Sequence, residues 1–201
     1  MLIAKKKEAF IQNVRGYILA GGKSSRMGRD KRFIEVDGIS LIEKSIRLLE
    51  SVLGERPALV GDNLNSHLFG DFEILKDAIA DKGPVGGLVS CLRHCDAEWA
   101  LVLPVDMPHL ARSEIEALLQ SADEHWDVIA LSFKGWVEPL VALYNTRTVA
   151  FWAERLNKGE LALYRGIERL RTKVVNARDG SHRLMNINTP EDLASRAQIE
   201  D

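Results

Sequence analysis

Gly16-Tyr-Ile-Leu-Ala-Gly-Gly-Lys-Ser-Ser-Arg-Met-Gly-Arg-Asp-Lys31 joins an apolar run to a glycine-rich, cationic loop. Gly16 to Ala20 predict a short buried strand, so the loop leaves a strand end. Gly21 and Gly22 let the backbone come close to a ligand, since no Cβ stands in the way. Arg26, Arg29 and Lys31 add positive charge, and successive loop N–H groups can form an anion-binding nest. A polyphosphate needs that combination. An ordinary glycine-rich turn with solvated basic residues is the alternative.

Two phosphate motifs fail against this stretch. A P-loop requires Gly, four residues, then Gly-Lys-Ser/Thr. Gly22-Lys23-Ser24 supplies the second half, but the first glycine would fall on Tyr17. A dinucleotide fingerprint needs Gly-x-Gly-x-x-Gly after the strand, whereas the glycines here are Gly21, Gly22 and Gly28.

Outward from the loop, strands and helices alternate. Ser40-Leu-Ile-Glu43 is a capping-box pattern and opens a helix with Ile42, Ile46, Leu49 and Leu53 at helical spacing. Strands are predicted at Pro57–Val60 and Phe72–Leu75, and a helix from Pro84 to Cys95. Trp99-Ala-Leu-Val-Leu103 is continuously apolar, as a central parallel strand requires. Ser113-Glu-Ile-Glu116 repeats the capping-box pattern. Further strands are expected at Val128–Leu131 and Leu140–Tyr144, with Phe133 to Pro139 as a hairpin-like excursion. Helical pattern returns over Thr146–Leu156 and Glu160–Leu170. A strand near Lys173–Val175, the stretch Arg183–Ile187 and a helix opening at Thr189-Pro-Glu-Asp192 close the chain. This alternation predicts an α/β fold: a doubly wound, mostly parallel sheet with helices on both faces and a mixed edge. The 201 residues suit one domain, with residues 1–14 as an N-terminal lead.

Composition narrows the function. Against 27 Lys and Arg stand 29 Asp and Glu, a net charge of −2 that gives no global basic field for nucleic acid. No run approaches a membrane span, and the first ten residues lack a secretory h-region; a cytoplasmic location is expected. The only cysteines, Cys91 and Cys95, share a helix face with Leu88 and Leu92 and read as reduced core thiols.

Ligands of doubly wound sheets sit beyond the carboxyl ends of the strands, and three loops should meet there: the opening motif, Lys76–Gly87 and Pro104-Val-Asp-Met-Pro108. Asp106 is the leading acid. It follows the most apolar strand, with Pro104 and Pro108 stiffening its loop. Facing a cationic phosphate loop, its carboxylate suits Mg²⁺, which takes oxygen ligands and shares them with substrate phosphates; a plain Asp turn is the alternative. Asp77 could accept from a base or ribose, or serve a turn. Gly83, Gly86 and Gly87 could open a helix N-terminus towards ligand or allow tight packing. Glu138, before Pro139, could face substrate or solvent. Asn186 and Asn188 fit a turn or cap as readily as a ligand role. The five histidines form no metal-spaced pair, and only His109 lies near these loops. Ser24 and Ser25 lack an obvious base.

The stretch Leu19–Lys31 resembles the signature of molybdenum cofactor guanylyltransferases. The likeness continues in Gly83-Pro-Val-Gly-Gly87, Val105-Asp-Met-Pro108, Glu138-Pro-Leu-Val-Ala142 and Asn186-Ile-Asn-Thr-Pro-Glu-Asp-Leu193, so it covers nearly the whole chain. The resemblance implies a Rossmann-like nucleotidyltransferase fold and Mg²⁺-dependent transfer of GMP from GTP to the terminal phosphate of molybdopterin, releasing pyrophosphate. It implies that Leu19, Ala20, Gly21 and Gly22 line the nucleotide, that Lys31 and Arg26 meet phosphates, that Asp77 meets the guanosine and that Asp106 holds Mg²⁺. It also implies transient contact with other cofactor-biosynthesis or acceptor proteins. In one departure, Gly61, followed by Asp62 and Asn63, stands where such sequences often carry Asn after the second strand. Rival readings are a related nucleotidyltransferase using CTP or another phosphorylated acceptor, and a non-catalytic nucleotide-binding protein.

Overall fold

The structure is a computed structural model, and it describes residues 13–21, 30–62, 64 and 66–177. Strands β1 (Val14–Leu19), β4 (Ala58–Val60), β5 (Ile74–Leu75), β6 (Trp99–Pro104), β7 (Val128–Phe133), β8 (Trp136–Asn145) and β9 (Thr172–Asn176) form one sheet in the order β5-β4-β1-β6-β8-β7-β9. β1 pairs in parallel with both β4 and β6, β4 with β5, and β7 with β9. The mixed character arises inside the sheet, at β8, which is antiparallel to β6 and β7. Its cause is local. Lys134 and Gly135 both have positive φ, 48° and 83°, as a two-residue hairpin turn requires. The expected excursion is thus the tip and flanks of a hairpin, and β8 starts four residues before the expected Leu140. Two short strands, β2 (Glu35–Val36) and β3 (Ile39–Ser40), make a separate antiparallel ribbon.

Helices cover both faces because side chains alternate along each strand. Ile18, Leu59, Trp99, Leu101, Leu103, Ile129 and Leu143 point to one face. There they pack on α1 (Leu41–Leu53) and α4 (Arg112–Gln120). Tyr17, Ala58, Val60, Ala100, Val102 and Ala142 point to the other. That face meets α3 (Gly83–His94), α5 (Val149–Asn157) and α6 (Leu163–Ile167). A one-turn helix, α2 (Ser66–Phe69), precedes β5.

Ser40 caps α1, accepting the Glu43 N–H at 3.4 Å, and Gly54 closes it in the left-handed conformation. The second capping pattern lies two residues earlier than expected. Ala111, not Ser113, occupies the cap position, and Glu114 accepts the Ala111 N–H at 2.8 Å. Glu114 can reach back in this way whatever residue stands at the cap, so the acid carries the motif. Cys91 is buried and Cys95 half-buried, both as free thiols. β1 begins at Val14, within the expected lead, and the stretch 183–187 and the final helix lie outside the described residues. Among the described residues no helix is long and apolar enough to cross a membrane.

Candidate active site

The carboxyl ends of β1, β4, β5 and β6 open on a cleft of about 620 Å³. Its lining includes Leu19, Gly21, Lys31, Asp62, Asp77, Gly83, Gly87, Asp106 and Leu140. The three loops expected to converge do so. Of the residues expected to line a nucleotide, Leu19 and Gly21 face the cleft, whereas Ala20 is buried and donates its N–H to the Val60 carbonyl at 2.9 Å. Gly22 and Arg26, with Asn186 and Asn188, lie outside the described residues. His109 is not among the lining residues.

Lys31 is placed by its neighbours. It opens a single 3-10 turn whose cap, Asp30, accepts the Arg32 N–H at 3.1 Å, and the fully buried Ile34 anchors the far side. Asp106 follows the all-buried β6 and is held between buried Val105 and Met107. The two meet: Lys31 Nζ lies 2.8 Å from Asp106 Oδ2. The other oxygen, Asp106 Oδ1, is buried without a hydrogen-bond partner, although the residue is only 7% exposed. Burying an unsatisfied carboxylate oxygen is costly. A divalent cation that prefers oxygen ligands fits that vacancy in bonding. No cluster of three or more His, Cys, Asp or Glu forms a metal site among the described residues. Asp106 would hold such an ion together with substrate phosphates and water, as Mg²⁺ commonly is held.

At the other end of the cleft stands Asp77. Leu19, Val60, Ala80 and Pro84 give that end apolar walls. A methyl group placed on Gly87 would come within 3.3 Å of Asp77 Oδ1 and 3.0 Å of Leu19 Cδ2, so the glycine keeps the slot open. Gly86 serves packing instead, lying under the Ile79 carbonyl. Burial and then the Asp62 charge push the Asp77 carboxyl up to about 6. Asp62 Oδ1 also accepts the Asp77 N–H at 3.2 Å. Its role is visible only once β4 and β5 are paired, because fifteen residues separate the two. The loop between is strapped to α3 by Ser90, whose hydroxyl donates to the Lys76 carbonyl at 2.7 Å. α3 itself begins at the cleft without a side-chain cap. Its N–H groups and dipole favour an anion there.

Gly61, the departure noted above, has a steric reason. A Cβ on it would lie 2.6 Å from Gly21 Cα and N, and its φ is +154°. The β1 and β4 loops touch backbone to backbone. Gly61→Asn must push them apart, and we expect a loss of about 2 kcal/mol or more, lowering Tm by roughly 4–8 °C. Thermal unfolding followed by circular dichroism checks it; an unchanged Tm removes the close approach as the reason for glycine.

Glu138 is half-buried rather than solvated. Its Oε1 accepts the Leu140 N–H at 3.1 Å. Burial raises its pKa most, and the Asp106 charge pushes in the same direction.

Comparison with known proteins agrees with this geometry. The family described as MobA-like NTP transferase domain matches residues 16–174. A molybdenum cofactor guanylyltransferase of Vibrio parahaemolyticus is 30% identical over 91% of this chain and 94% of its own length. One from Syntrophotalea carbinolica is 30% identical over 88% and 87%. In the fold comparison, molybdopterin-guanine dinucleotide biosynthesis protein A of Archaeoglobus fulgidus superposes with a TM-score of 0.76 at 22% identity, covering 92% of this chain and 97% of that one. The chain belongs to the MobA-like NTP transferase family and is a nucleotidyltransferase of the molybdenum cofactor guanylyltransferase kind.

Proposed function

We propose that the enzyme transfers GMP from GTP to the terminal phosphate of molybdopterin in the cytoplasm, with Mg²⁺ and release of pyrophosphate. The position of Asp77 carries the reading for guanine. Guanine presents two adjacent donors, N1–H and N2–H, that one carboxylate can accept together. Cytosine, uracil and adenine each place an acceptor or a single donor at that edge. An apolar slot ending in a carboxylate therefore favours guanine, and it strongly penalises a base that leaves that carboxylate unpaired. The printed names of the Vibrio and Syntrophotalea relatives support the same choice.

The chemistry needs little from a base. An acceptor phosphate oxygen attacks the α-phosphorus of GTP, one P–O bond forms, and the bond to the bridging oxygen breaks as pyrophosphate leaves. The acceptor is already ionised near neutral pH, so alignment and charge neutralisation suffice. Lys31, in the cleft beside Asp106, would offset charge growing on pyrophosphate, and the α3 N-terminus would offer N–H groups to the same anions. A Mg²⁺ held by Asp106 and the phosphates would supply further charge neutralisation.

The direct test pairs the purified protein and molybdopterin with each of the four NTPs and Mg²⁺, measuring pyrophosphate. GTP alone should support acceptor-dependent release. Release with CTP, or hydrolysis without acceptor, overturns the proposal.

Asp77 gives a pH prediction. Because its folded pKa is raised, the native state keeps a proton that the unfolded chain has lost between the ordinary carboxylate range and about 6. Stability of the free enzyme therefore falls as pH rises through that window. Binding a donor edge favours the ionised form. The ratio of GTP affinity between wild type and Asp77→Asn should therefore fall about tenfold per pH unit below that pKa and level off above it. At pH 8 the variant should have the higher Tm and the weaker GTP affinity. Calorimetric titration across pH, with a Tm for each protein, checks both signs; a pH-independent ratio removes Asp77 from the base site.

A further inference from the structure

Arg32, the residue after Lys31, is folded back onto Asp30, the residue before it. Its Nε lies 2.8 Å from Asp30 Oδ1 and its Nη2 pairs with Oδ2, the fork in which arginine meets both oxygens of a carboxylate. Oδ1 also accepts the Arg32 N–H at 3.1 Å. Only 11% of the Arg32 side chain is exposed, and Arg32 is not among the residues that line the cleft. An ion pair between residues two apart closes a ring around the residue between them, and here that residue is Lys31. The ring is braced on its far side. Arg32 Cζ stands 5.9 Å from the centroid of the Phe33 ring, within reach of a cation–π attraction. Phe33 lies nearly parallel to Phe69 of α2, with centroids 6.0 Å apart and planes 15° apart. One residue on, the Ile34 carbonyl accepts the Leu41 N–H of α1 at 2.9 Å.

The turn alone is a weak support for Lys31. Short 3-10 turns have poor hydrogen-bond geometry. This one has two such bonds, from the Phe33 N–H to Asp30 at 3.2 Å and from the Ile34 N–H to Lys31 at 3.1 Å. Yet Lys31 Nζ must meet Asp106, 75 residues further along the chain, at 2.8 Å. The Arg32 hydrogen bonds hold the Asp30 carboxyl below the ordinary range, so the pair stays charged near neutral pH. An ion pair this close in sequence adds little to global stability; its effect falls on the direction of the residue it encloses. We infer that Asp30, Arg32 and the Phe33–Phe69 stack form a clamp that positions Lys31, so that Arg32 acts on the reaction through Lys31 without touching substrate. The inference rests on the role of Lys31 proposed above and names the residues that hold it there.

The experiment measures GMP transfer and Lys31 reactivity in wild type, Arg32→Gln, Arg32→Lys and Asp30→Asn. In Arg32→Gln, kcat should fall about tenfold or more while KM for GTP changes less, since misplacing a group that acts in the transition state costs rate. Arg32→Lys should lose nearly as much, because an ammonium keeps the charge but not the fork; full recovery by lysine overturns the inference. With Lys31→Ala already in place, the loss from Arg32→Gln should shrink below about twofold, because the clamp then has nothing to position. A merely structural arginine would cost as much without Lys31 as with it, and that parallel loss overturns the inference. Lys31 reactivity is read without substrate, as trace acetylation by acetic anhydride at each lysine of the full chain. Arg32→Gln should raise labelling of Lys31 severalfold and leave the other lysines as they are. Unchanged labelling of Lys31 overturns the inference, and so does a rise shared by all lysines. Should Arg32→Gln fail to fold, Asp30→Asn, which keeps an oxygen for the Arg32 N–H but removes the charge, must show the same loss of kcat and the same gain in Lys31 labelling. Wild-type values for it overturn the inference equally. If transfer is intact and both readouts are unchanged in the variants, only the clamp falls. If wild type transfers no GMP, the reaction falls while the labelling still reads the clamp.

Discussion

Replacing Asp106 by alanine should reduce pyrophosphate release from GTP and molybdopterin by about 10³-fold or more. Two losses combine in that figure. One is the oxygen pair itself. Oδ2 holds Lys31 at 2.8 Å, and Oδ1 is buried without a hydrogen-bond partner among the described residues. The other is the preorganisation given by all-buried β6, which fixes the carboxylate before substrate arrives. A group placed in advance stabilises developing charge without reorganising during the reaction. Asp106→Asn sharpens the measurement, because it keeps the shape and one acceptor oxygen but removes the charge. It should be nearly as inactive as alanine, and raising Mg²⁺ should recover little of the rate. Pyrophosphate release measured across Mg²⁺ concentrations decides. Near-normal turnover in either variant would remove Asp106 from the reaction centre.

Much of this site was legible because strand ends are easy to read. The continuous apolar run of β6 marked a central strand, and its end marked Asp106. Glycine and charge in the loop after β1 pointed to a ligand, and its described ends, Gly21 and Lys31, do line the cleft. What stayed hidden depends on pairing between distant segments. Nothing near Asp62 in sequence announces that its carboxylate would hold the Asp77 N–H, since that contact forms only after β4 and β5 join. That Glu138 is half-buried was hidden likewise, because it depends on how β8 pairs with β7, where Leu131 stands opposite Glu138. Gly61 read as a departure from a pattern, and the close approach of Gly21 turns it into a steric requirement. The Ser113 pattern misled by two residues because a glutamate can accept a cap residue's backbone N–H even where that residue's own side chain contributes nothing.

Lys31→Ala should lower kcat/KM by about 10²–10³-fold, mostly through kcat. The lysine pairs with Asp106 before substrate binds. In the proposed reaction it has a second task, to offset charge that grows on the departing pyrophosphate. Removing it leaves both Asp106 oxygens without a cation, so the variant should also need more Mg²⁺ to reach half its residual rate. Lys31→Arg separates the tasks. It restores positive charge but replaces a compact ammonium with a planar fork. The Mg²⁺ requirement should then recover more fully than kcat. Lys23, which mimics the end of a P-loop, is the internal control: Lys23→Ala should cost less than Lys31→Ala, because Lys31 pairs with the Asp106 carboxylate and Gly22-Lys23-Ser24 lacks the first glycine a P-loop needs. Steady-state kinetics at saturating and limiting Mg²⁺ resolve the four proteins. An unchanged kcat/KM in Lys31→Ala, or a larger loss in Lys23→Ala, would move the phosphate site away from Lys31 and back to the glycine loop.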